Sequence, residues 1–135
     1  KWWQRKQANK VIPEVVVDHW AEVKKKIKHS HPQEPFEKPQ QIEFFYQMSL
    51  LLRECIELRT KIRATDLTYQ ELKDPIDRKL PLKSNEKTDI LLFLERADMI
   101  KFAEKKTTLD EAREYKKQIG LWASMLTPRA EIGGR

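Results

Sequence analysis

The sequence is poor in the residues that form cross-links and tight turns. Among its 135 residues there are a single cysteine, Cys55, and only three glycines. One cysteine excludes an internal disulfide and fits a reducing compartment. Three glycines are too few for a β-sandwich rich in tight turns or for a phosphate-cradling loop. Hydrophobic residues make up 39% and charged residues 36%, which suits one small helical domain with a heavily charged surface.

Long apolar runs are also missing. No stretch approaches the roughly 18 to 20 apolar residues that a membrane span needs. The first residues, KWWQRKQ, lack the apolar run of a signal peptide. The sequence therefore predicts neither a transmembrane helix nor a signal peptide within these residues.

Familiar signatures of catalysis are absent from the sequence. It contains no phosphate-binding loop, dinucleotide fingerprint, zinc-binding cysteine set, HExxH motif or nucleophile elbow. None of its acidic residues form an isolated pair in an apolar setting, as acid–base chemistry would require. His29 and His31 have no third Cys or His ligand nearby, so no metal site is expected. We expect no enzyme, no cofactor and no small-molecule substrate; a small hydrolase with dispersed carboxylates is the weakest alternative.

Positive charge is concentrated at the N-terminus. The net charge is +6, and residues 1–31, with eight Lys or Arg against three acids, account for five of those charges. A nucleic-acid-binding domain usually carries its positive charge on the folded unit. The segment from Thr68 to Lys105 resembles a helix-turn-helix, but its connector of about ten residues is longer than that motif allows. A helical nucleic-acid-binding domain is therefore the alternative rather than the leading interpretation.

Residues 1–17 are predicted to form a basic and aromatic arm next to a membrane. Tryptophan is enriched at membrane interfaces, and Lys and Arg are enriched on the cytoplasmic side of a span. The alternative is a frayed terminus whose tryptophans pack on the domain. The residues assigned to the membrane-proximal arm are Lys1, Trp2, Trp3, Arg5, Lys6 and Lys10.

The stretch Phe44 to Arg63 predicts the central helix of an all-α bundle. Phe45, Met48, Leu52 and Ile56 form one apolar stripe at the helical period, and Phe44, Leu51, Cys55 and Leu58 form a second beside it. A helix that is apolar on more than one face is buried by several neighbours. We therefore predict four main helices and one short helix packed around a central helix at about residues 40–61, with Cys55 buried and inert.

Capping residues and prolines predict where the other helices begin and end. Asp18 is the predicted N-cap of a first helix, whose lysine run, Lys24 to Lys28, forms a solvated face or contacts anionic lipid headgroups. A proline-rich linker follows at 30–41. Thr68 and Glu71 form a capping box for a very short helix that Pro75 ends.

Two further helices complete the predicted domain, 18–126. Asn85 is the predicted cap of a helix that extends to Lys105, with Phe102 on its apolar side. Thr108 and Glu111 form a second capping box, which opens the last helix. Residues 127–135 are the predicted tail.

Four polar residues are candidates for a structural or partner-facing role: Arg53, Arg59, Asp98 and Lys101. Arg53 and Glu57 are four residues apart and can form an exposed pair. Asp98 falls near the apolar side of its helix, where it needs a basic partner from Arg96, Lys101 or the central helix.

Four segments in a fixed order resemble a known family. The matching residues are Phe45, Tyr46, Ser49, Leu52, Arg53, Ile56, Glu57 and Arg59, then Thr68, Glu71 and Leu72, then the run from Ala97 to Ala103, and finally Thr108, Glu111 and Ala112. In this order they resemble the cytoplasmic C-terminal region of BatD-like membrane proteins, which are found alongside MoxR-type AAA+ ATPases and von Willebrand factor A proteins. The resemblance covers about residues 20–120, and Cys55 stands where that family usually has an aromatic residue.

The resemblance implies a function but no catalytic residues. It implies a non-catalytic interaction or adaptor domain at the cytoplasmic face of the bacterial inner membrane, anchored by a span before Lys1. The implied role is in cell-envelope stress or aerotolerance, with a MoxR-type ATPase and von Willebrand factor A proteins as partners and with no nucleic acid.

Overall fold

A computed structural model describes residues 18–102 and 104–129 of the chain. The predicted membrane-proximal arm and most of the predicted tail lie outside these residues. Within them all regular secondary structure is helical and there is no strand, which confirms the predicted all-α class. The elements are α1 (His19–His29), α2 (Lys38–Thr60), a 3-10 turn (Ala64–Asp66), α3 (Tyr69–Lys79), α4 (Ser84–Lys101) and α5 (Leu109–Leu126).

The central position predicted for α2 is confirmed. Its first stripe is fully buried, and Phe44, Leu51 and Cys55 of the second stripe are buried as well. Three helices, α1, α4 and α5, pack against it. Because these neighbours lie on different sides, the apolar surface of α2 forms the middle of the core rather than one wall of it.

An aromatic cluster joins α2 to α4 and α5. The ring of Phe93 lies 6.0 Å from Phe45, 4.8 Å from Tyr115 and 6.4 Å from Trp122, measured between ring centroids. Aromatic pairs at such distances contribute about 0.5–1.5 kcal/mol each beyond their buried area. The cluster therefore helps to fix how the two C-terminal helices sit on the central one.

Side-chain caps at Asp18, Thr68 and Thr108 confirm three predicted helix starts. The Asp18 carboxylate accepts a hydrogen bond from the Ala21 amide at 3.0 Å. Thr68 and Glu71 exchange both bonds of a capping box, at 2.9 and 3.2 Å. Each bond satisfies an amide that the first helical turn leaves without a partner.

The predicted linker at 30–41 is too long, because α2 begins at Lys38. Pro39 is the second helical residue, where the missing amide proton costs nothing. The side chain of Gln40 accepts a hydrogen bond from the Glu37 amide at 3.2 Å, which fixes the start of the helix.

The predicted bounds of α4 are also wrong at both ends. The helix begins at Ser84 rather than after Asn85. The Glu86 carboxylate accepts a hydrogen bond from the Lys83 amide at 2.9 Å, which caps the helix one turn before Glu86. It ends at Lys101 rather than Lys105.

Pro75 does not end α3, contrary to the prediction. The helix continues through it to Lys79, so only residues 80–83 separate α3 from α4 and the predicted connector of about ten residues is wrong. Leu72 and Ile76, on either side of the proline, are fully buried, and α3 packs against α4. A proline inside a helix costs about 3 kcal/mol, and burial of each such side chain returns about 1.5–3 kcal/mol. Packing on both sides of Pro75 therefore sustains the helix.

The second predicted capping box forms only in half. The Thr108 hydroxyl accepts a hydrogen bond from the Glu111 amide at 3.1 Å. The Glu111 carboxylate does not bond back to the Thr108 amide, but pairs with Arg96 of α4. Arg96 donates to both carboxylate oxygens, at 3.0 and 2.9 Å, and Thr107 donates to one of them at 2.5 Å. Arg96 also donates to the Lys106 carbonyl at 2.9 Å. These bonds tie α4, the connector and α5 together.

We predict that Glu111→Gln destabilises the fold by about 1–2 kcal/mol at neutral pH, because it removes a charged, bidentate acceptor. The hydrogen bonds from Arg96 lower the pKa of Glu111; burial opposes this and the bond from Thr107 adds to it. The pKa of Glu111 is therefore lower in the folded state than in the unfolded state. Its stabilising effect is fully present above the unfolded-state pKa and is lost as the pH falls through the folded-state pKa. Urea unfolding at several pH values measures the difference.

Glu114→Gln is the matched control, because Glu114 lies on the exposed surface of α5 and is 3.9 Å from Lys117. We expect it to change the unfolding free energy by less than about 0.5 kcal/mol. Equal effects of the two substitutions, or a Glu111→Gln effect that does not shrink in acid, would contradict the assigned role.

Candidate functional site

Three of the four candidate polar residues converge on one surface groove. Arg53 lies on α2, and Asp98 and Lys101 lie at the C-terminal end of α4. The groove between these helices and the connector 61–68 has a volume of about 330 Å³. We call it the Tyr46–Phe102 groove. It is lined by Tyr46, Ser49, Leu50, Arg53, Thr65, Leu67, Thr68, Asp98, Lys101 and Phe102.

Arg53 forms the inner wall of the groove. Its side chain is buried, and Nη1 donates to the backbone carbonyls of Ala64, at 3.3 Å, and Leu67. Nε donates to the Ser49 hydroxyl at 3.4 Å. Burial lowers the pKa of the guanidinium, and the negative charge of Asp98 opposes that shift. Arg53 is thus a structural clamp that holds the connector 61–68 against α2.

A second polar side chain of α2, Glu57, also binds the connector. The predicted exposed pair of Arg53 and Glu57 therefore does not form. The Glu57 carboxylate instead accepts from the amide and the hydroxyl of Thr65, at 3.2 and 3.0 Å. Lys61 ends α2 in the left-handed conformation, with φ of 66°. That conformation reverses the chain, so both polar side chains of α2 meet the connector rather than each other.

Asp98 finds its partner on its own helix. Its Oδ1 lies 3.3 Å from Nζ of Lys101, and both side chains are largely buried. The same ammonium lies 5.5 Å from the ring centroid of Tyr46, within range of a cation–π interaction. Of the partners predicted for Asp98, Lys101 is therefore the one observed, whereas Arg96 pairs with Glu111.

Two exposed aromatic side chains border the groove. Tyr46 is 52% exposed and Phe102 is 70% exposed. The prediction that Phe102 lies on the apolar side of α4 is wrong, because the helical period places this position opposite the buried stripe that contains Phe93 and Ala97. Neither residue was a site candidate from the sequence. Tyr46 could have been recognised, since it lies on neither of the apolar stripes of α2.

The remaining candidate, Arg59, lies apart from the groove. It is exposed in the last turn of α2, where a cation interacts favourably with the helix dipole. Cys55 is fully buried, as predicted, and burial raises the pKa of its thiol to about 12; nearby Glu54 also raises it and Lys24 lowers it. The thiol therefore stays protonated at neutral pH and is a poor nucleophile.

The groove combines cations that are already hydrogen-bonded or ion-paired with exposed aromatic side chains. Its cations are held by backbone carbonyls or by a carboxylate, and its border is aromatic. In residues 18–102 and 104–129 no three His, Cys, Asp or Glu side chains come together as a metal site. Exposed Tyr and Phe beside a buried Arg are the composition typical of protein interfaces.

Comparison of the chain with protein-family models, curated proteins and solved structures gave no match. None of the helices in the described part of the chain is both long enough and apolar enough to cross a bilayer.

We predict that Arg53→Ala destabilises the domain by about 2–4 kcal/mol. The Leu67 carbonyl loses its guanidinium donor, the Ala64 carbonyl keeps only the Leu67 amide, and a buried side chain is removed. Chemical denaturation measures this change. Arg59→Ala is the matched control on the exposed face of the same helix, with an expected change below about 0.5 kcal/mol. Similar effects at both positions would show that Arg53 is not the clamp.

Proposed function

We propose that this is a non-catalytic interaction domain, and that the Tyr46–Phe102 groove binds a protein partner. The observation that carries the proposal is the exposure of two aromatic side chains, Tyr46 and Phe102, that line one groove together with polar residues. Large aromatic residues bury much area at little entropic cost, and they dominate the energetics of many interfaces.

The rigidity of the groove supports recognition of a partner. Arg53 fixes the connector, and Lys101 is held by Asp98 and by the ring of Tyr46. A partner that binds here meets side chains that are already ordered, so less conformational entropy is lost on association.

The family resemblance supports a specific partner class. Residues that carry the resemblance on three separate segments, among them Arg53, Thr68 and Asp98, line the same groove. We therefore propose that the groove binds a MoxR-type AAA+ ATPase or an associated von Willebrand factor A protein. The parent protein would act in cell-envelope stress or aerotolerance.

The same proposal places the domain at the cytoplasmic face of the bacterial inner membrane. The basic and aromatic arm at residues 1–17 would lie against the lipid headgroups, because Trp prefers the interface and Lys and Arg are attracted to anionic lipids. The groove would then face a partner in the cytoplasm.

The test measures binding of the full 135-residue chain to a purified MoxR-type ATPase and to a von Willebrand factor A protein from the same organism. We expect Tyr46→Ala and Phe102→Ala each to weaken binding by about tenfold or more. Because both side chains are exposed, the unfolding free energy should change by less than about 1 kcal/mol. Biolayer interferometry and urea unfolding provide the two measurements.

Leu92→Ala is the control, since Leu92 is 54% exposed on α4 outside the groove. It should leave the affinity unchanged. Equal losses for Leu92→Ala and Tyr46→Ala would argue against the groove, and the absence of binding to either protein class would overturn the assigned partners.

A further inference from the structure

A second groove lies between α1 and α5. We call it the α1–α5 groove. It has a volume of about 430 Å³, within the range of pockets that bind ligands. It extends along α5 from Arg113 to Ser124, a length of about 16 Å at 1.5 Å per residue. None of its lining residues belongs to the Tyr46–Phe102 groove.

The floor of this groove is apolar because its residues are small. Ile27 and Ala123 are buried beneath it, and Gly120 lies between them. A β-carbon added at Gly120 would meet no atom within 4 Å. This glycine is therefore not required by close packing of two helices; its missing side chain leaves the floor open.

Five cations surround that floor, and no acidic residue lines the groove. The cations are Lys24, Lys28, Arg113, Lys116 and Lys117. Two of them have acidic neighbours outside the groove, since Arg113 lies 3.2 Å from Glu34 and Lys117 lies 3.9 Å from Glu114. The groove is thus apolar at its base and positively charged at its walls.

Lys116 has no carboxylate within salt-bridge distance among the described residues. Its ammonium donates to the Lys28 carbonyl at 2.9 Å and lies 2.8 Å from Nδ1 of His31. Burial lowers its pKa, which means that the charge is partly desolvated without an anion to compensate it. A bound carboxylate would supply that compensation.

We propose that the α1–α5 groove binds an acidic amphipathic helix of a partner protein. The apolar stripe of such a helix would cover Ile27, Gly120 and Ala123, and its acidic residues would pair with the cations of the walls. A flat membrane surface would reach the cations but not the recessed floor. A nucleic-acid backbone would neutralise the cations but bury little apolar area. This surface and its occupant are independent of the Tyr46–Phe102 groove.

The test uses a fluorescein-labelled helical peptide of about 14 residues, long enough to span the groove, with leucine along one face and glutamate on the other. Fluorescence anisotropy follows its titration with the full chain. We expect saturable binding that weakens with added salt. A peptide with lysine in place of glutamate, and one of the same composition in scrambled order, should bind at least about tenfold more weakly.

Two variants locate the site. Lys24→Glu combined with Lys117→Glu should weaken binding by at least about tenfold, whereas Lys79→Glu with Lys105→Glu, which has the same net charge but changes residues outside the groove, should not. Gly120→Leu should fill the floor and weaken binding about tenfold or more, while the unfolding midpoint stays the same or rises because leucine favours helix over glycine.

Several outcomes would overturn the proposal. These are no peptide binding, equal binding of the scrambled peptide, or equal losses in the two charge-reversed variants. Binding to phosphatidylserine vesicles or to duplex DNA, each tested in parallel, without binding to the acidic peptide would assign the cations to a lipid or nucleic-acid surface instead.

Discussion

A helix with two neighbouring apolar stripes cannot be covered by one partner, and in this protein α1, α4 and α5 together cover α2. This requirement determines the architecture. Phe45, Met48 and Ile56 are fully buried because neighbours approach from more than one direction. Of these neighbours, α1 and α5 also pack against each other, and the α1–α5 groove lies between them. The Tyr46–Phe102 groove lies between α2, the end of α4 and the connector 61–68.

Two polar clusters hold the connectors between helices in positions that apolar packing alone does not specify. Arg53 holds the connector after α2 through the carbonyls of Ala64 and Leu67, and the Arg96–Glu111 pair holds the connector between α4 and α5. In both cases an arginine donates to backbone carbonyls of the connector, Arg53 to Ala64 and Leu67 and Arg96 to Lys106. Hydrophobic burial is non-directional, so these hydrogen bonds determine where the chain turns.

The two grooves differ in the chemistry that they offer. The Tyr46–Phe102 groove has aromatic borders and charges that are already paired within the domain. The α1–α5 groove has an apolar floor and unbalanced positive charge. The two grooves share no lining residue, so the two proposed partners would not compete for the same side chains.

Sequence periodicity and capping chemistry determined the helical class, the central place of α2 and the starts at Asp18, Thr68 and Thr108, because these depend on residues within one or two turns of each other. Tertiary packing decided whether the helix continues through Pro75, since that depends on burial of Ile76 against another helix.

The site likewise came only in part from the sequence. The resemblance selected Arg53, Asp98 and Lys101. It did not tell which of them holds the fold together and which could contact a partner, because a long side chain can reach either a backbone carbonyl or solvent from the same helical position. The chain reversal at Lys61 brings the carbonyls of the connector to Arg53. The sequence by itself determined the helices and their apolar faces. Only the tertiary structure decided which polar and aromatic side chains remain available to a partner, because availability depends on what the rest of the chain has already bound.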